Sequence, residues 1–346
     1  MMIDDTVGRP AEYPADPEAA ASTRDQIRWM ARRRREQLAA VTILFLGGAL
    51  AVVMVLSIFI FVAKESLPIF TNVDQRNEMS LYHDTENEEE FERDASIFQT
   101  LDNLLGQPIW QPVSDQSTFS LWPLMAGTFK ITIVAVVEGT VLSFFTAIAI
   151  AFYLPRRMRY AVKVITELLA GIPSVVLGFL GLMFFATYFQ DLFGYPYRLN
   201  AFLAGTVLSL TVIPIMTTLF EDIYSSYSRD QILAAKAVGM YDYQVIGRVI
   251  IPATYGKVFA AALLGFGRCF GETMIVLMCS GNAAVLDAHL TSGARSLAAT
   301  IGAEMAEVII GWTHYSVLFL LGLLLILFTF VINYLSQILI RKWTYA

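Results

Sequence analysis

The sequence predicts an all-α, polytopic membrane protein with six transmembrane helices. The chain has 346 residues, of which 56% are apolar and only 16% are charged, whereas a soluble domain has about 25% charged residues. Its apolar residues form long blocks rather than the spaced stripes of amphipathic helices. With 24 Lys and Arg against 30 Asp and Glu, the chain is mildly acidic, which argues against a nucleic-acid-binding protein.

The first span is the clearest. Residues 37–63 contain no charged residue, and a transmembrane helix needs about 20 predominantly apolar residues. The preceding arginines, Arg32–Arg35, resemble the start of a signal peptide, but the apolar core is too long and no small-residue cleavage site is evident. We therefore expect a retained helix. Five further spans are predicted at residues 131–154, 164–189, 201–220, 258–278 and 316–340.

The distribution of positive charge predicts the topology. Lys and Arg concentrate in the tail, in alternate connections and at the carboxyl end, so the positive-inside rule places both termini in the cytoplasm. The chain then divides into a cytoplasmic tail (1–35), the first transmembrane helix (37–63), an acidic extracytoplasmic segment (64–122) and a core transmembrane domain (123–346). The core contains a long cytoplasmic loop, residues 221–257.

Three connections allow more than one interpretation. The basic tail either contacts anionic lipid or serves only as a topology signal. The acidic residues of segment 64–122 form either a solvated loop or a docking surface for an external partner; they are Glu86, Glu88, Glu89, Glu90, Glu92 and Asp94. Residues 296–303 are too short to span, so we expect a short helix at the outer mouth.

Two charges in the fifth span are the strongest candidates for function. An ionisable residue in lipid costs about 2.5–3.5 kcal/mol, so it is a functional hypothesis by default. Arg268 and Glu272 are four residues apart and would share one helix face, and Gly265 and Gly271 would let another backbone approach. The pair either faces protein or a cavity in a functional role, or is a self-neutralised ion pair that holds two helices together. We interpret the other intramembrane acids as structural; they are Glu138 and Glu167.

No catalytic, metal or cofactor site is predicted in this chain. The histidines lie in extracytoplasmic segments without partners spaced for zinc, and we interpret them as ordinary loop residues; they are His83, His289 and His314. No phosphate-binding loop, nucleophile elbow or kinase signature is present. Cys269 and Cys279 are ten residues apart on one predicted helix, too far apart to form a disulfide.

The cytoplasmic loop predicts a compact knob. Two short amphipathic helices are broken at Gly239, and the second is expected to stop near Pro252. Such a knob fits a groove on another protein; the alternative is a loop on the membrane surface.

This loop resembles the EAA coupling loop of bacterial ABC importer permeases. Ala234, Ala235, Gly239 and Pro252 match the family pattern, whereas Leu233 replaces its glutamate. Three further stretches resemble the permease of phosphate-specific ABC importers, of the PstC type. They are ELLAGIPSVVLGFLGL (167–182), GFGRCFGETMIVLMCSGN (265–282) and, within 296–319, IGAEMAEV with HYSVLF. The resemblance covers residues 121–341.

The resemblance implies the type I ABC importer permease fold in a bacterial inner (plasma) membrane. It also implies a second, PstA-like permease, a dimer of ATPase subunits that carries the ATP and Mg²⁺, and an extracytoplasmic phosphate-binding protein. Arg268 and Glu272 would lie on the substrate pathway, and transport would proceed by alternating access. Two alternatives remain: a permease for another oxyanion, such as sulfate or molybdate, and a non-transporting membrane scaffold.

Overall fold

The computed structural model describes residues 17–71, 97–113 and 118–344. The chain separates into two units, Met1–Ile60 and Phe61–Ala346, and each is described by itself. The acidic run from Glu86 to Asp94, His83 and the start of the tail lie outside the described residues.

The first unit is the greater part of one long helix, α1 (Pro17–Ser66). Every residue from 40 to 60 is exposed, and the sequence is apolar on all sides there, as expected for a helix whose solvent is lipid. The predicted first transmembrane helix is therefore present, although the helix begins about 20 residues before position 37. In the second unit, the end of α1 leads to the short helix α2 (Pro68–Thr71).

The described remainder of segment 64–122 folds against the bundle. It contains α3 (Ile97–Gly106) and a hairpin of β1 (Trp110–Gln111) and β2 (Thr118–Phe119), in which Trp110 pairs with Phe119. The backbone N–H of Trp110 donates to the Ala284 carbonyl at 3.1 Å. We call residues 97–113, 118–119 and 280–304 the cap, and the end of the bundle that they cover the cap end.

Two parallel helices form the centre of the second unit. Helix α4 (Leu121–Ile148) continues through a π-helical turn, Ala149–Tyr153, and packs along α8 (Ala201–Ser225). Small residues allow this contact, because a Cβ on Gly205 would lie 2.6 Å from the Cβ of Val134. The core around them includes Val207, Val212, Met216 and Phe220, all with at most 2% exposure.

Between α4 and α8 the chain is interrupted where one span is predicted at 164–189. Helix α5 (Arg156–Ala170) ends before Pro173, and the span itself consists of α6 (Ser174–Leu180), a π-helical turn (Gly181–Phe185) and α7 (Ala186–Phe193). The predicted start at 164 is wrong, since Pro173 donates no hydrogen bond and disfavours helix for the residue before it. Helix α5 has no buried residue and is tied to α8 by a 2.8 Å ion pair between Lys163 and Glu221.

The loop predicted at 221–257 is shorter than expected. Helix α8 continues to Ser225, α9 covers Arg229–Ala237, and the next span begins with α10 at Asp242. We call residues 226–241 the knob. The break at Gly239 is confirmed, whereas a stop near Pro252 is wrong.

The helix continues past Pro252 because a π-helical turn precedes this residue. A π-helical turn (Ile246–Ile250) connects α10 (Asp242–Val245) to α11 (Ile251–Phe270), in which Pro252 lies in the first turn. A proline in the first turn of a helix removes no hydrogen bond that the helix needs.

Two short helices precede the last span. Helix α12 (Met274–Cys279) follows a break after Phe270, and α13 (Leu297–Glu304) confirms the predicted short helix at 296–303. The last helix, α14 (Thr313–Thr344), packs along α11, where the Trp343 ring leaves no room for a Cβ on Gly256. Within the described ranges, six segments are long and apolar enough to cross a membrane: Ala40–Thr71, Leu121–Tyr153, Ser174–Phe193, Ala201–Ser225, Asp242–Phe270 and Thr313–Trp343.

The contact between α4 and α8 can be tested at Gly205. Replacement by Ala places a methyl group against Val134 and the Ile131 carbonyl, at 2.6 and 3.0 Å, and overpacking of this kind costs about 1–3 kcal/mol. We expect Gly205→Ala to lower the midpoint of thermal unfolding of the purified chain in detergent. Gly48→Ala is the matched control, because nothing lies within 4 Å of its added methyl group. Equal midpoints for the two variants would contradict this packing.

Candidate functional site

The two candidate charges flank a break between helices. Helix α11 ends at Phe270, Gly271 to Thr273 are not helical, and α12 begins at Met274. Arg268 therefore lies in the last turn of α11, whereas Glu272 lies outside that helix. The prediction that both share one helix face is wrong, because the glycine taken as a packing position, Gly271, has no neighbour within 4 Å and ends the helix instead.

The two charges do not pair with each other. None of the ion pairs within 4.0 Å among the described residues includes Arg268 or Glu272. Glu272 Oε1 accepts a 3.3 Å hydrogen bond from the Met274 backbone N–H, at the amide end of α12, and Arg268 lies at the carbonyl end of α11. Helix ends of these polarities stabilise a carboxylate and a guanidinium respectively. The interpretation of the pair as an ion pair that holds two helices is therefore wrong.

The Arg268 side of α11 is not covered by the described residues of this chain. Arg268 is exposed, whereas its neighbours Gly267 and Cys269 are buried. A Cβ on Gly267 would lie 2.7 Å from Asn333 Oδ1, and Gly265 leaves no room for a Cβ beside Met216. The small residues thus face the bundle, and the guanidinium faces away from it. Because lipid is a costly environment for this charge, protein or water is expected to cover that side in the membrane.

The cap meets the chain directly beside Glu272. A Cβ on Gly302 would lie 2.6 Å from Thr273 Cγ2, so α13 packs on the residue that follows the carboxylate. Helix α13 therefore lies against the break between Arg268 and Glu272.

A second group of charges lies in the cap and is missed by the sequence analysis. Arg295 Nη1 lies 2.9 Å from Glu304 Oε1, and His314 Nε2 lies 2.9 Å from Glu304 Oε2. Trp110 Nε1 donates to both carboxylate oxygens at 3.2 Å. The side chains of Arg295, Glu304 and His314 are only 14–18% exposed. We call these four residues the Glu304 cluster.

The interpretation of the histidines as ordinary loop residues is wrong for His314, which lies in the first turn of α14 and contacts Glu304. Glu304 is the only acid in the short helix Leu297–Glu304, and that isolation is the one signal in the sequence. Its neighbours Arg295 and His314 are nine and ten residues away in the chain, and Trp110 is 194 residues away, separations that no spacing rule connects. His289 does lie in an exposed loop, where its hydrogen bonds lower the pKa of Asp287.

The other two acids predicted within spans differ in position. Glu138 Oε1 accepts a 3.0 Å hydrogen bond from Thr206 Oγ1, which joins α4 to α8. Glu167 is exposed on α5, outside the spans.

The knob is a rigid turn with an apolar surface. The N–H of Gly239 donates to the Lys236 carbonyl at 2.9 Å and that of Met240 to the Ala235 carbonyl at 3.3 Å, which is the hydrogen-bond pattern of a Schellman motif. Gly239 has a φ of 86°, and Lys236 pairs with Asp242 at 2.6 Å across the turn. Its exposed apolar side chains are Leu233 (61%), Val238 (79%) and Tyr241 (69%).

Comparison with known proteins gives the family. Residues 139–345 match the family described as binding-protein-dependent transport system inner membrane component. The phosphate transport system permease protein PstC of Haemophilus influenzae is 30% identical over 69% of this chain and 81% of its own length. PstC of Pasteurella multocida is 31% identical over 67% and 78%.

Two further proteins are similar to this chain. The probable ABC transporter permease protein YqgH of Bacillus subtilis is 31% identical over 66% of this chain and 75% of its own length. A solved structure of an inward-facing MetNI methionine ABC transporter is 17% identical over 63% of this chain and 93% of its own, with a TM-score of 0.49. The chain therefore belongs to the family of binding-protein-dependent transport system inner membrane components, and is a multi-pass, non-catalytic permease subunit of the inner membrane.

Proposed function

We propose that this chain is the permease subunit of an ATP-driven importer that moves inorganic phosphate by alternating access. The observation that carries the proposal is the exposed guanidinium of Arg268 on a spanning helix, without a carboxylate partner among the described residues. The names of the relatives in H. influenzae and P. multocida support phosphate as the substrate.

The chemistry of the site suits a tetrahedral oxyanion. A guanidinium presents a planar fork of donors that binds such anions with two parallel hydrogen bonds. Transporter sites are commonly built at breaks in spanning helices, and Arg268 lies beside the break at Gly271–Thr273. Glu272, close in the chain, weakens the attraction for an anion, so that the substrate can leave as well as bind.

The uncovered side of α11 fits a second permease. Membership of the family implies, in general, an ATPase, another permease and a binding protein. We assign the Arg268 side to the interface with a PstA-like partner, so that the pathway runs between the two permeases. The cap end would then be extracytoplasmic and receive the phosphate-binding protein.

The knob is assigned to coupling. It carries Ala234, Ala235 and Gly239 at the end opposite the cap, and its rigid turn would seat in a groove of the ATPase subunit, which holds the ATP and Mg²⁺. Leu233 replaces the family's glutamate and is exposed, so this contact would be apolar. Pro252 lies in the spanning helix and would act by shaping its first turn.

The first prediction concerns uptake. Arg268→Gln removes the charge and the fork, a loss of about 3 kcal/mol if two charge-assisted hydrogen bonds to the anion are lost, which corresponds to about 100-fold. We expect phosphate uptake in proteoliposomes of the whole complex to fall by that factor, and Arg268→Lys to give an intermediate rate.

Arg248→Gln is the matched control, because Arg248 is also exposed but lies at the opposite end of the same span. Uptake by Arg268→Gln at the control rate would refute a substrate role for Arg268. Strong competition of labelled phosphate by sulfate would instead favour a broader oxyanion permease.

The second prediction concerns coupling. Gly239→Pro is incompatible with the φ of 86°, whereas Asn tolerates the left-handed region. We expect Gly239→Pro to abolish stimulation of ATP hydrolysis by the loaded binding protein while the subunits still assemble, and Gly239→Asn to retain most of it. Full stimulation in the proline variant would refute the assignment of the knob.

The third prediction concerns access to the site. In the isolated subunit, Arg268→Cys should react with a membrane-impermeant maleimide, because position 268 is exposed. The native thiols should not react, since Cys269 and Cys279 are 2% and 0% exposed and burial raises the pKa of Cys279 to about 12. Mass spectrometry should find one label in the variant and none in the wild type. An unlabelled variant would show that this side of α11 is closed.

A further inference from the structure

The Glu304 cluster joins four separate parts of the cap end. Trp110 belongs to β1, Arg295 to the stretch before α13, Glu304 to the last position of α13 and His314 to the first turn of α14. One carboxylate receives contacts from the other three side chains at 2.9–3.2 Å. Because the cluster is largely shielded from water, these charge-assisted contacts are stronger than they would be at a surface.

The other end of α13 is fixed to α4. The Leu297 N–H donates to Thr128 Oγ1 at 3.0 Å, and the Arg295 carbonyl leaves no room for a Cβ on Gly127. Helix α13 is thus held at its start by packing on a spanning helix and at its end by the carboxylate of Glu304. The carboxyl half of α13 is held by side-chain contacts, at Glu304 and where Gly302 packs on Thr273.

Helix α13 also packs against the break that follows α11. Gly302 packs on Thr273, the residue after Glu272, and lies two positions before Glu304. Loss of the contacts at Glu304 would therefore free the part of α13 that contacts the site.

The cluster is incompletely satisfied. The Nε atom of Arg295 is buried and has no hydrogen-bond partner among the described residues, so one donor of its guanidinium is left unsatisfied. A buried donor without an acceptor destabilises the arrangement that contains it. The attachment at Glu304 is consequently less stable than a fully paired cluster would be.

We propose that Glu304 is a positioning residue that latches α13 over the cap end of the transport site, and that this latch releases when the site opens toward the binding protein. The proposal rests on the proposed function. The occupant of the cap end is the loaded binding protein, and its docking would supply the free energy that separates Glu304 from Arg295 and His314.

The test uses Glu304→Gln in the complete complex reconstituted in proteoliposomes. Gln keeps the shape of the side chain and an acceptor for Trp110, but removes the charge that holds Arg295. If the contacts at Glu304 are weaker, α13 should be released without docking of the binding protein. We expect ATP hydrolysis in the absence of binding protein to rise about tenfold, since about 1.4 kcal/mol corresponds to that factor, and the binding-protein concentration for half-maximal hydrolysis to fall.

Glu307→Gln is the matched control, because Glu307 lies three residues further on, is exposed and makes the same change in charge. It should behave as the wild type. The proposal is overturned if Glu304→Gln matches the control, or if it lowers the maximal rate with both basal hydrolysis and half-saturation unchanged, as expected of a purely structural residue.

If Glu304→Gln prevents assembly of the complex, a milder variant tests the proposal. His314→Gln removes one contact to Glu304 and leaves the ion pair with Arg295, so its effect should have the same direction and smaller size. If it leaves basal hydrolysis and half-saturation unchanged, the proposal is also overturned. Basal hydrolysis needs no transported solute, so this result is independent of the uptake experiment on Arg268.

Discussion

The guanidinium of Arg268, which has no ion-pair partner among the described residues, constrains the environment and the packing of the spanning helix α11. Arg268 has no carboxylate partner within 4.0 Å among the described residues and faces away from the bundle, so protein or water must cover it in the membrane if the charge is to stay out of lipid. The same constraint explains why small residues occupy the opposite side of α11: Gly265 and Gly267 press that side against α8 and α14. The helix is thereby fixed in rotation with its charge outward.

Interruptions in the helices place the parts that transport requires. The break after Phe270 separates Arg268 from Glu272 and gives each charge a helix end of favourable polarity. The turn at Gly239 produces the knob. Both features depend on glycine, and each lies at one end of the span Asp242–Phe270, so one spanning segment connects the knob to the guanidinium.

The existence of six spans follows from the sequence because long apolar blocks have one stable environment. The short helix at 296–303 and the break at Gly239 were also predictable from local signals. The interruptions in the helices were not predictable from the sequence. Gly271 is equally compatible with helix packing and with a helix end. Pro252 predicts a stop, because the π-helical turn before it has no sequence signature. The Glu304 cluster joins positions up to about 200 residues apart, which only the tertiary fold brings together.

Leucine at position 233 has a consequence for which complexes can form in one cell. A carboxylate in the coupling loop would need a cation or hydrogen-bond donors on the ATPase, whereas the exposed leucine side chain needs an apolar pocket. A side chain buried in the groove that suits the other one leaves a desolvated polar atom without a hydrogen-bond partner. If the knob binds as proposed, ATPases that serve glutamate-bearing importers are poor substitutes here. The replacement would thus prevent different importers in one cell from sharing ATPase subunits.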